Sequence, residues 1–165
     1  MATLGETLRA LKLLTGSRPV KSLLRACHAG RLVGGLSVSL QATPDEVVGP
    51  LCHAVGGAAR ALKVLDVRGG PPLELEVRWG QVHERWALED VAGLCHNLND
   101  LYRGEASTAA IAVLGDWEDM LQLWCVSRAD LPRLLRARVL EDARNVETLR
   151  RLAEGSPQTS QPGYP

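Results

Sequence analysis

The sequence predicts an α+β fold. It would be an antiparallel sheet of five to six strands packed by helices, in the order helix, three strands, helix, two strands, helix, behind an N-terminal helical hairpin. Three observations predict it. The segments LELEVRW (Leu73–Trp79) and VHERWAL (Val82–Leu88) alternate apolar and charged residues, the period of half-buried strands. Gly80-Gln81 between them suits a two-residue type II′ turn. That turn sets Leu73 opposite Leu88, Leu75 opposite Trp86 and Trp79 opposite Val82 on one face. Glu76 then faces Arg85, and Arg78 faces His83, on the other. Finally, a helix-period stretch at 90–103 precedes two further apolar strands.

At 165 residues the chain is one domain with room for a real core, and 45% hydrophobic with 23% charged residues is ordinary for a globular protein. No apolar run approaches the roughly 18 residues of a membrane span, and no secretory leader opens the chain, so the expected compartment is the cytosol. Cys27, Cys52, Cys95 and Cys125 lie far apart with no C-x-x-C pair, so neither a disulfide framework nor a zinc knuckle is indicated. The only lysines are Lys12, Lys21 and Lys63; the arginine bias suits a GC-rich, bacterial genome. Net charge is zero but uneven: +5 over residues 1–35, −7 over 36–127 and +2 over 128–165. A basic arm on an acidic centre either packs on its own domain or seeks an anionic partner. The expected division is a basic helical hairpin at 1–35, an α+β domain at 36–154 and a disordered tail at 155–165.

Thr3 and Glu6 make a capping box, and Leu4, Leu8, Leu11 and Leu14 follow at helical spacing, with Gly16 as the stop. Pro19 is placed to open a second helix along Val20, Leu23, Leu24 and Cys27, ending near Gly30. The rival reading of this segment is an amphipathic, Arg-bearing presequence. Residues 36–41 alternate weakly, as a strand does. Thr43-Pro44-Asp45-Glu46 is the clearest helix start, with Thr as N-cap, Pro at N1 and Glu at N3. Its stripe runs Val47, Val48, Leu51, Cys52, Val55, Ala59 and Leu62, with Gly56-Gly57 marking a close helix–sheet contact. Lys63–Arg68 is a short strand, and Gly69-Gly70-Pro71-Pro72 turns into the hairpin. The central helix at 90–103 carries Val91, Leu94, Leu98, Leu101 and Tyr102 on one face. Residues 109–114 are apolar on both faces, as in an inner strand, and 120–126 is its neighbour. Asp130 caps a long final helix through Leu131, Leu135, Val139, Ala143, Val146, Leu149 and Ala153. The tail from Gly155 lacks core-forming residues.

No phosphate-loop, dinucleotide or H-E-x-x-H pattern is present, and no enzyme is expected. The pairs Cys27-His28, Cys52-His53 and Cys95-His96 could supply zinc ligands from several helices. Each cysteine falls in its helix's apolar stripe, however, and the next residue lies about 100° round the helix toward water. Core cysteine beside surface histidine is the favoured reading, with no metal or cofactor. Glu74 and Glu76 near Asp66 resemble nuclease acids, but Val77 and Arg78 stand where such a site wants lysine. Glu84, opposite Val77, is either a sheet margin or register error, or a groove wall or ion-pair partner. Trp86 reads as core, Trp117 in its acidic turn as an interaction anchor, and Trp124 beside Val126 as a groove or dimer contact. Trp79, Glu84, Trp117, Trp124 and Val126 are thus the partner-binding candidates. Arg9, Lys12, Arg18, Lys21 and Arg25 are candidates for anion contacts, without interleaved aromatics for base stacking.

The middle helix VAGLCHNLNDLYR, followed by AAIAVLGDWEDMLQLWCV and a closing DLPRLL, resembles the type III secretion chaperone-like fold. It is similar especially to the YbjN branch of bacterial stress-associated proteins. The resemblance spans residues 43–154 and is one of topology and patterning. It implies a homodimeric, non-catalytic, cytoplasmic protein whose sheet and helices grip an extended segment of a client protein. The acidic centre agrees with that family; the basic N-terminal hairpin departs from it. The strip at 108–126 points the same way. Ile111 and Val113 with Trp124 and Val126 on one face, and Ala112, Leu123 and Cys125 on the other, leave two apolar faces for a second subunit or client to cover. The expected function is therefore a chaperone-like adaptor linked to stress response. The alternatives are a nucleic-acid-associated accessory protein using the basic arm, and a metal-dependent enzyme built on the Cys-His pairs.

Overall fold

Short capped helices and tight hairpins set the architecture of the computed structural model, which describes residues 2–155. Among those residues the chain is α+β. Its elements are helices α1 (Leu4–Ala10) and α2 (Leu23–His28), strand β1 (Gly35–Ser39), helix α3 (Pro44–Val55) and a 3-10 turn at Gly57–Ala61. Strands β2 (Lys63–Arg68), β3 (Leu73–Trp79) and β4 (Val82–Leu88) follow, then helix α4 (Val91–Leu101). Strands β5 (Ala110–Trp117) and β6 (Met120–Val126) and helices α5 (Leu131–Arg136) and α6 (Val146–Glu154) complete it. Apart from Gly155, the tail expected to be disordered lies outside the described residues.

The expected single sheet is instead two antiparallel sheets of three strands, ordered β1-β6-β5 and β2-β3-β4. One reason is visible at the outer edge of β5, which no strand can join. Asn99 and Asn145 side chains and the Arg144 N–H occupy the main-chain groups of Ile111 and Val113 there. The β3–β4 register is the one expected, from Leu73 opposite Leu88 to Trp79 opposite Val82. Gly80 supplies the positive φ, +59°, that a type II′ turn needs at its first position.

β5 and β6 form the middle layer. Cross-strand partners Ile111 with Cys125 and Val113 with Leu123 share one face. That face packs with α3, α4 and the inner side of the other sheet, including Leu51, Leu75, Val77, Trp86 and Leu94. Ala110, Ala112, Leu114, Trp124 and Val126 share the opposite face with Leu8, Ala26, Leu131, Leu134 and Leu149 of the N- and C-terminal helices. The sequence grouping of Ile111 and Val113 with Trp124 and Val126 is thus corrected by the register. So is the expectation of surplus apolar surface: this chain's own helices seal both faces of the ribbon. Residues 2–35 belong to the same body rather than forming a free arm.

Four helix boundaries fall elsewhere than expected. α1 stops at Ala10, not at Gly16, because Lys12 takes a left-handed φ of +61°. Lys12 N–H then bonds Arg9 C=O at 3.0 Å and Leu13 N–H bonds Leu8 C=O at 2.9 Å, a Schellman closure. α2 begins after Ser22, whose hydroxyl accepts Arg25 N–H at 3.1 Å, and not at Pro19. The long final helix breaks into α5 and α6 because Arg138, at φ +62°, makes the same closure, with Val139 N–H on Leu134 C=O at 3.0 Å. α3 ends at Val55 rather than continuing to Leu62, since Gly56 and Gly57 both have positive φ. Gly57 is needed for close approach: a Cβ there would sit 2.3 Å from the Ser107 carbonyl oxygen.

Candidate functional site

β2 stands apart from every other strand in its exposure. It is an end strand whose only strand neighbour among the described residues is β3. Its Val64, Leu65 and Val67 are 39%, 43% and 43% exposed, three of the five exposed large apolar side chains among the described residues. Period-two pleating cannot place Val64, Leu65 and Val67 on one face of a regular strand. A bulge between Val64 and Asp66 leaves Leu65 without a partner on β3. Val64 and Val67 lie opposite Val77 and Leu75, on the side that faces the core. A groove of about 280 Å³, lined by Val48, Cys52, Leu62 and Val64 together with His53 and Arg60, runs beside them. The other face of the sheet is charge-paired: Arg85 reaches Glu76 at 3.3 Å and Glu74 at 3.7 Å, and His83 Nε2 lies 2.5 Å from Glu76. Asp66 and Arg68 pair along β2 at 3.2 Å. The strand therefore presents an apolar edge with charged flanks, an arrangement able to add another strand. Sequence reading overlooked this edge. Its signal was Val64-Leu65-Asp66-Val67, apolar on both sides in a strand with no earlier hairpin partner.

The residues singled out from sequence scatter. Trp124 and Val126 are buried, and the Trp124 indole donates to Val33 C=O at 2.9 Å, so neither reaches a partner surface. Trp79 is half-buried, donates to Ala58 C=O at 3.0 Å and meets Tyr102 edge-on at 4.9 Å. Glu84 is exposed at the sheet margin, where it accepts the Trp86 indole N–H at 2.7 Å. Trp117 is half-buried under the Arg25 guanidinium, 5.0 Å from the ring centre. Of the basic candidates, Arg9 donates to Arg18 C=O at 2.8 Å while Arg25 lies on that ring. Arg18, Lys21 and Lys12 are exposed, the last in its left-handed turn. Arg31, not a candidate, clasps the same linker through Thr15, Pro19 and Arg18 carbonyls. These guanidinium groups bind main-chain carbonyls and an aromatic ring; they do not line a phosphate track.

Cys27, Cys52 and Cys95 are buried and their neighbours His28, His53 and His96 exposed, as the helical spacing requires. Burial pushes the Cys27 and Cys52 thiols up to about 11, and those of Cys95 and Cys125 up to about 12. A thiol held protonated is a poor nucleophile and a poor metal ligand. Among the described residues no three His, Cys, Asp or Glu side chains assemble as a metal-binding group, and no helix is long and apolar enough to cross a membrane. No protein-family model, curated protein or solved structure matches this chain.

Proposed function

We propose that this chain is a non-catalytic protein-binding protein, an adaptor or chaperone-like module of the kind the YbjN-like resemblance implies, and that it engages its partner through the open edge of β2. One observation carries this reading: a six-residue end strand with three apolar side chains in water, next to a groove of mixed lining. Exposed edges of this kind are normally blocked, as β5 is, so an open one suits strand addition by a partner. The thiols, held protonated by burial, and the engaged arginines of the N-terminal segment leave less support for metal chemistry or nucleic-acid binding.

A photo-crosslinking residue in place of Leu65 tests the reading against the same residue in place of Arg136, exposed on α5. The expected result is a specific protein adduct from position 65 that Val67→Pro abolishes, with none from 136. No adduct at any β2 position would sink it.

A further inference from the structure

We infer that β2 pairs antiparallel with β2 of a second copy of this chain, about a two-fold axis at Val67, joining the β2-β3-β4 sheets of the two copies into one of six strands. This rests on the protein-binding reading above and names the partner.

The hairpin decides which main-chain groups face the open edge. The two-residue turn closes on Trp79 and Val82, so Trp79, Val77, Leu75 and Leu73 exchange hydrogen bonds with β4. The alternate residues Arg78, Glu76 and Glu74 then bond β2, where their partners are Lys63, Asp66 and Arg68. Val67, between Asp66 and Arg68, therefore turns its N–H and C=O outward.

An antiparallel neighbour must present the same alternation: an edge-facing residue opposite an edge-facing residue, with side chains on one face. Val67 opposite the partner's Val67 satisfies this, with two hydrogen bonds across the axis. The same register sets Asp66 opposite the partner's Arg68, and by symmetry Arg68 opposite the partner's Asp66. The neighbouring registers fail. Moving two residues one way puts Asp66 opposite the partner's Asp66; moving two the other way puts Arg68 opposite the partner's Arg68. A shift of one opposes Val67 to a residue already bonded to β3. A shift of three, which sets Val67 opposite the partner's edge-facing Val64 across the bulge, puts Lys63 opposite the partner's Arg68 on both sides of the axis. Parity and charge together select one register, and it brings exposed Val67 under cover of the partner's Val67. Asp66 and Arg68 are exposed side chains, so substituting them leaves the core intact.

Light scattering on the full chain across the micromolar range tests the pairing, with circular dichroism confirming that each variant folds. The chain should be dimeric. Asp66→Arg alone and Arg68→Asp alone should each weaken the dimer by about tenfold, since each sets like charges across the axis twice. An equimolar mixture of the two variants should dimerise again, because every changed side chain then meets an opposite charge in the other chain. Restoration by mixing cannot come from the Asp66–Arg68 contact within one strand. A chain that stays monomeric overturns the inference; if position 65 still crosslinks to another protein, the wider reading survives. A dimer indifferent to both charge reversals also overturns it, by placing the interface elsewhere.

Discussion

Asn99 holds both polar groups of the Ile111 main chain: its Nδ2–H donates to the carbonyl at 3.0 Å and its Oδ1 accepts the N–H at 2.9 Å. Asn145 reaches the same carbonyl at 2.8 Å and accepts Val113 N–H at 2.9 Å. Two side chains thus stand in for a missing strand. Asn99→Leu leaves the Ile111 N–H buried without a partner, and should cost about 1–3 kcal/mol. Urea unfolding with an unchanged slope would measure it; a loss under half that range would mean water replaces the amide.

Trp124 and Trp117 should part company on truncation. Trp124 is fully buried beneath α1, α2, α5 and α6, so Trp124→Ala should lose about 3–5 kcal/mol. Trp117 is half-buried and held by one cation–π contact, worth about 0.5–1 kcal/mol at such sites. Comparable losses in thermal unfolding would contradict this layering.

Lys12 and Arg138 are exposed and left-handed, each at a helix closure that glycine fills without strain. Lys12→Gly and Arg138→Gly should each raise stability by about 0.5–1 kcal/mol, after allowing for glycine's greater freedom in the unfolded chain. A lower Tm for both would show that these side chains make compensating contacts.

The four thiols make stability depend on alkaline pH. Their folded values are raised from 9.0 to about 11 or 12, so the folded state keeps protons that the unfolded chain releases. Their contribution is complete below pH 9 and is lost as pH rises through 11 to 12. Denaturant midpoints should be insensitive to these groups near neutrality and fall above pH 9. Replacing Cys95 with alanine should shallow that fall; an unchanged slope would rule out the thiols as its cause.

The β3–β4 register, the cap at Thr3 and the start of α3 were legible because each is decided within a few residues: alternation, a two-residue turn, one side chain bonding a nearby N–H. The breaks at Lys12 and Arg138 were not legible, since neither is glycine and nothing local marks a left-handed turn there. The candidate site was missed for a related reason. Apolar Val64 and Val67 look like core from their types, and only the position of β2 at a sheet end exposes them. Trp124 fails in the reverse direction, a surface candidate that two terminal helix pairs bury.

By itself the sequence determined the class of the fold, the strand and helix types and one complete hairpin, because period and turn chemistry are short-range. Tertiary structure alone decided how strands divide between sheets, which faces are sealed and which edge stays open. Those outcomes depend on contacts between distant segments, such as Asn99 and Asn145 closing β5 while nothing among the described residues closes β2.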